Sequence, residues 1–135
     1  MIQEDKELLL RDLCARMPYG IKAFYYGTEE ACETWDEIES VTLDGYVDIG
    51  QYSLPIERIK PYLFPLSSMT NKQRTECFKE TSLELSKHGD IYGYTEYIDL
   101  ECFLKVIDWL NKNHFDYRNL IENGLAIDAT GLNIY

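Results

Sequence analysis

Leu9, Leu10, Leu13, Cys14 and Met17 fall at i, i+1, i+4, i+5 and i+8. That spacing puts them on one stripe and predicts an amphipathic helix over residues 4–17. Glu7 with Arg11, and Asp12 with Arg16, are acid-first i,i+4 pairs expected on its wet side. Pro18 should end the helix, because the residue before proline is driven out of the α region. From Gly20 to Pro55 the period drops to two. Residues 21–27 (IKAFYYG) and 31–43 (ACETWDEIESVTL) are rich in aromatic and β-branched positions. Asp44-Gly45 joins them to 46–49 (YVDI), a hairpin signal that predicts a type I′ turn. Gly50-Gln51 precedes a short strand at YSLP, and 56–63 (IERIKPYL) reads as a helical turn.

Pro61 and Pro65 bracket a rigid crossing into the second half of the chain. Thr70 and Gln73 form a capping-box pattern, so a helix should start there and run to about Lys87. Cys77, Thr81 and Leu85 are its thin apolar stripe, and Gly89 its left-handed cap. Residues 90–97 (DIYGYTEY) read as an aromatic connector or a brief strand. Asp99 then opens the strongest helical pattern, with Leu100, Phe103, Leu104, Ile107 and Leu110 as a stripe that should be central to the core. Asn113 is the expected left-handed cap. Asp116 is the expected N-cap of a short helix over 117–123, closed by Gly124, with 125–128 extended.

The predicted architecture is a single α+β domain over residues 1–135. It has an N-terminal helix, a small antiparallel β-sheet and a helical C-terminal half. An SH3-like barrel is one way the sheet could close. Residues 1–66 hold the helix and sheet portion, and 67–135 the mainly helical portion.

Composition narrows what such a domain can do. With 135 residues the chain can bury one core without staples. It has no long apolar run to span a membrane, and its start lacks the basic-then-apolar pattern of a signal peptide, so a cytoplasmic location is expected. Cys14, Cys32, Cys77 and Cys102 include no CxxC pair. They are expected to be reduced, buried thiols with no metal role. Nine of the 24 acids, and none of the 13 Lys and Arg, lie between Ala23 and Glu57. An acidic segment of that kind repels phosphate backbones and disfavours direct nucleic-acid binding.

Candidate chemistry concentrates in NHFDYR (113–118). A catalytic arrangement there would use His114 as general base, Asp116 as its orienting partner and Arg118 as an anion clamp. The local pattern assigns Asp116 to a helix start and His114 to a helix end instead, which favours structure over catalysis. No phosphate loop, EF-hand run or other cofactor motif occurs, and no cofactor is expected. The helix–turn–helix outline at 99–123 offers a DNA groove only Arg118. Glu29, Glu30, Glu33 and Asp36 could loosely hold a cation, but solvated carboxylates are the simpler assignment. Eleven tyrosines are more than a core of this size can satisfy, so several should be half-exposed, as at protein interfaces.

These features point to a non-catalytic accessory module that binds another protein. Its expected contacts are Glu29, Glu30, Glu33, Asp36, Tyr25, Tyr46, Tyr92 and Tyr94. A second copy of the chain is one form the partner could take, and nucleic acid and membrane are not expected. The alternatives are a DNA mimic that occupies a nucleic-acid-binding protein, and a small enzyme centred on His114, Asp116 and Arg118.

Three segments, ELLLRDLCARMPYGIK (7–22), IKPYLFPLSSMT (59–70) and WLNKNHFDYRNLIENGLAID (109–128), together resemble a family of short proteins from gut bacteria, often met near prophage or mobile-element genes. Proteins of that family tend to carry Arg at the position of Phe64 and Gly at that of Asn119. The resemblance implies a setting, with the ends as framework and the acidic middle as the variable part. It implies no activity.

Overall fold

The computed structural model describes residues 1–26, 34–93 and 99–135. Helix α1 (Gln3–Arg16) turns through a 3₁₀ segment at Met17–Tyr19, with Pro18 at its start, into strand β1 (Lys22–Tyr25). Strands β2 (Thr34–Val41), β3 (Tyr46–Ile49), β4 (Tyr52–Pro55) and β5 (Ile59–Pro65) follow. Then come α2 (Asn71–Thr81), the hairpin β6 (Leu83–Leu85) and β7 (Ile91–Gly93), α3 (Leu100–Lys112), and two short strands, β8 (Phe115–Asp116) and β9 (Ile127–Asp128). The chain is thus mixed α+β around a mainly antiparallel sheet of order β4-β3-β2-β1-β5-β8, with β9 also on β5.

Leu9 and Leu13 of α1 pack on this sheet, against Ile21, Val47, Ile49, Ile59 and Leu63. A second cluster joins α2, α3 and β6 through Cys77, Leu83, Leu85, Val106, Trp109 and Leu110, and Phe115 of β8 closes it. Strand β5 runs between the two. It pairs antiparallel with β1, and parallel with β8 (Phe64 beside Phe115) and β9 (Leu63 beside Asp128).

Several expectations change here. Of the helical turn foreseen at 56–63, only Ile56–Arg58 turns, and 59–65 is the strand with most partners. Its inward side chains sit too close together in sequence for the pattern to separate strand from helix. The hairpin at Asp44-Gly45 forms, but not through a type I′ turn. Gly45 is left-handed at φ 88°, and Asp44 is not. The Gly45 N–H donates to the Thr42 carbonyl at 3.0 Å, and Thr42 Oγ1 accepts the Tyr46 N–H at 3.2 Å. Thr42 Oγ1 also bonds the Asp44 carboxylate. These local bonds select a right-handed turn closed by glycine.

Helix α2 starts at the Thr70–Gln73 capping box, as foreseen. It stops at Thr81 rather than Lys87, because Ser82 is left-handed (φ 63°) and the Thr81 hydroxyl bonds the Cys77 carbonyl at 2.7 Å. Gly89 (φ 88°) closes the β6–β7 hairpin instead of a helix. Asn113 is not left-handed; His114 takes that position at φ 63°. No helix forms over 117–123, since Asn119 is left-handed at φ 58°. Asp12 and Arg16, expected on the wet side of α1, are fully buried, whereas Cys14 is exposed.

The largest departure concerns α3. Its N-cap is Asp99, whose carboxylate accepts the Cys102 N–H at 2.8 Å. The residues it buries are Val106, Trp109, Leu110 and Asn111. Leu100, Phe103 and Leu104 are 73, 42 and 53% exposed, so three of the five residues of the expected core stripe face outward.

Candidate functional site

The segment 114–118 is assembled where the end of α3 meets α1. His114 can hold a left-handed backbone at modest cost, which turns the chain from α3 into β8. Its N–H donates to the Asn111 carbonyl at 3.2 Å, and its carbonyl accepts the Phe64 N–H at 2.8 Å. The imidazole lies flat on Tyr135, with centroids 3.6 Å apart and planes 10° from parallel. Its Nδ1 is sealed from solvent with no hydrogen-bond partner. Burial, reinforced by the charges of Arg16 and Lys22, pushes the imidazole pKa down to about 4. The ring is therefore neutral at pH 7.

Asp116 does not reach that ring. Its Oδ1 accepts the N–H groups of Arg118 and Leu120, each at 3.1 Å, and its Oδ2 accepts that of Ile121 at 3.0 Å. The carboxylate thus organises the loop after β8, in the role foreseen for an N-cap but around an irregular turn. Arg118 points the other way. Its Nη1 donates to Asp12 Oδ1 at 2.9 Å and to the Tyr117 hydroxyl at 3.1 Å.

Asp12 is the centre of this network. It also receives Nε of Arg16 at 2.8 Å and Nη2 at 3.2 Å, and that same Nη2 donates to the Phe115 carbonyl at 2.7 Å. Both guanidinium groups lie over the Tyr117 ring, at 5.1 and 4.7 Å, and the Tyr117 hydroxyl donates to Asn111 Oδ1 at 2.7 Å. The i,i+4 spacing foretold the pairing of Asp12 with Arg16, but nothing in it revealed their burial or the contact with Arg118, which crosses more than a hundred residues. Tyr135 was missed as well. Its hydroxyl accepts the Lys22 N–H and donates to the Tyr62 carbonyl, both at 3.0 Å, and burial raises its pKa to about 12.

The three residues weighed for catalysis are thus neighbours whose side-chain polar groups do not meet one another. The imidazole lacks a carboxylate partner, the carboxylate holds three amides, and the guanidinium holds Asp12. A groove of 280 Å³ reaches Asp116 from the side of Lys87, His88 and Glu122, and neither His114 nor Arg118 lines it. Proton transfer needs base and orienting group within hydrogen-bond reach. This geometry is that of a structural joint.

The residues expected to bind a partner are dispersed. Glu29, Glu30, Glu33 and Tyr94 lie outside the described residues. Tyr25 is buried against Tyr52 at 5.9 Å between centroids, which removes it from any surface. Tyr46 and Tyr92 are exposed, on β3 and β7. Asp36 and Glu37 of β2 point to opposite faces, as successive strand residues must. The first lies over Gly50 and the second over Gly20. Asp48 accepts from Ser40, and Glu57 pairs with Lys6. The described acids therefore form no single stripe.

No family model, curated protein or solved structure matches the chain. Among the described residues, no helix is long and apolar enough to cross a membrane, and no group of three His, Cys, Asp or Glu is placed to hold a metal.

Proposed function

We propose that the chain is a non-catalytic module that binds another protein, and that the contact centres on the first two turns of α3 rather than on the acidic sheet. The observation that carries this is the outward stripe of Leu100, Phe103 and Leu104 on a helix already formed and capped by Asp99. Apolar side chains at i, i+3 and i+4 are how a helix engages a partner's groove, and such patches on a soluble surface mark interaction sites. Asp36, Tyr46 and Tyr92 remain available as polar contacts. Tyr25 does not.

The setting we propose is the one the resemblance implies, among proteins near prophage or mobile-element genes. The partner is protein rather than nucleic acid or membrane, and a second copy of the chain is one form it could take. The DNA-mimic alternative required the acids to share one stripe, and the opposed Asp36 and Glu37 speak against it. The enzyme alternative required a His114–Asp116 pair facing a cleft, and both groups are otherwise engaged.

A photo-cross-linking residue in place of Phe103 tests the reading in native lysate. A discrete product should form, and unlabelled wild-type protein should compete it away while a Leu104→Asp variant does not. The control is the same cross-linker at Leu43, 89% exposed on the β2–β3 turn. Equal products from both positions would sink the proposal.

A further inference from the structure

A cavity of about 320 Å³ opens between α2 and the β6–β7 hairpin, away from the joint of Asp12 and Arg16. Its walls carry Arg74 and Phe78 from α2, Glu84, Leu85 and Ser86 from β6 and the turn after it, and Tyr92 from β7. The local sequence explains why these side chains meet. Arg74 and Phe78 are four residues apart on one helix face. Glu84 and Tyr92 are paired across the hairpin and so project on the same side of it. Leu85 is buried and joins the cavity to the core of α2 and α3.

Arg74 is the unusual member. The chain has nearly twice as many acids as bases. Yet among the described residues no carboxylate lies within ion-pair reach of Arg74, while Arg118 and Arg16 share one. Its Nε is sealed from solvent with no acceptor. A guanidinium in that state has lost part of its hydration and gained no anion in return. Beside it stand two aromatic rings, partly exposed, with a leucine between α2 and the hairpin. A cavity of this size, mostly apolar and with one fixed cation, has the composition of a small-ligand site.

We infer that this cavity binds a small organic monocarboxylate bearing a flat apolar group, with the carboxylate on the Nη side of Arg74 and the apolar group between Phe78 and Tyr92. A guanidinium and a carboxylate match in plane and charge, so Arg74 supplies orientation as well as attraction. Glu84 in the same wall selects for a single negative charge, because a phosphate dianion meets like-charge repulsion there. This site is apart from the Leu100, Phe103 and Leu104 stripe of α3 and shares with the surface proposed above only Tyr92, so its failure would leave that stripe untouched.

The probe is 3-phenylpropionate, titrated into isotope-labelled protein and followed by NMR, with 3-phenylpropionamide and phenyl phosphate as comparisons. Saturable shifts are expected at Phe78, Leu85 and Tyr92, with the amide binding about tenfold more weakly, as loss of one charge-assisted contact implies. The Arg74→Gln variant should lose the preference for carboxylate over amide while keeping its melting temperature. Arg74→Lys should retain part of it, which separates a charge role from a change of fold. Absence of saturable shifts, an amide that binds equally well, an Arg74→Gln variant that still prefers carboxylate, or tighter binding of phenyl phosphate would each overturn the assignment.

Discussion

Arg16 makes no contact with solvent, and it is tolerated because Asp12, equally buried, faces it from one turn earlier on α1. Arg118 then reaches Asp12 from the far end of the chain, so one carboxylate serves two guanidinium groups. Removing it should be severe. Asp12→Ala strands a buried cation, and a loss of about 3–5 kcal/mol is expected in urea unfolding. Asp12→Leu combined with Arg16→Met should cost much less, since neither buried charge remains and Arg118 is already 27% exposed and free to turn outward. Equal losses in the two variants would show that packing, not charge, sets the cost. His114 makes a second residue-scale expectation. Its folded pKa of about 4 lies below the 6.5 of the unfolded chain. Between those values the unfolded state takes up a proton that the native state refuses, so stability falls as pH drops from 6.5 toward 4 and is independent of this group above that window. After discounting for remaining solvent contact, the loss is on the order of 1–2 kcal/mol. His114→Phe keeps a ring against Tyr135 and removes the orphaned Nδ1, so its stability should be flat through the upper part of that window. A variant with the wild-type slope there would assign the pH dependence to other groups.

At the scale of elements, the loop after β8 depends on one carboxylate. Asp116→Ala would leave the amides of Arg118, Leu120 and Ile121 without their acceptor. The expected cost is about 2–4 kcal/mol by thermal or urea unfolding. Amide exchange should rise at Leu120, which is otherwise fully buried. Unchanged exchange would mean that water replaces the carboxylate. This role was legible in the sequence, since an acid three residues past the expected helix cap Asn113 reads as the start of the next element, although the helix it was expected to start is not there. Asn119 explains the difference: its left-handed backbone stops helix growth. The α2 capping box, α1 and the strands from β1 to β4 were also legible, because period and turn residues are local signals. What was not legible depends on distance. Periodicity locates the apolar face of α3 but cannot say that only its later half has neighbours. The stripe on α1 hides the fact that Asp12 and Arg16 turn inward to meet Arg118. Strand β5 lacks alternation because its partners, β1, β8 and β9, approach from chain segments far apart. The candidate site failed for the same reason. His114 and Asp116 are close in sequence, but β8 and the Asn111–Tyr117 contact send their polar atoms in different directions.

For the molecule as a whole, β5 decides whether the two main clusters behave as one unit. Ile59 and Leu63 belong to the cluster under α1, while Phe64 packs on Phe115 at 6.2 Å between centroids and so touches the cluster of α2 and α3. Arg16 adds a second tie, since it sits on α1 and bonds the Phe115 carbonyl. Two links of this kind should make unfolding cooperative. Leu13→Ala tests this from one side. It removes a fully buried side chain from the first cluster and should cost about 2–5 kcal/mol. Trp109, 3% exposed in the second cluster, reports from the other side once the exposed Trp35 has been replaced by Phe. If β5 couples the clusters, Leu13→Ala lowers the urea midpoint seen by Trp109 fluorescence as much as the one seen by far-ultraviolet circular dichroism. If the Trp109 transition stays where it was while the dichroism midpoint falls, the sheet and the α2–α3 unit unfold separately. The sequence from Met69 onward would then have to be treated as a second domain, with the α3 surface carried on it.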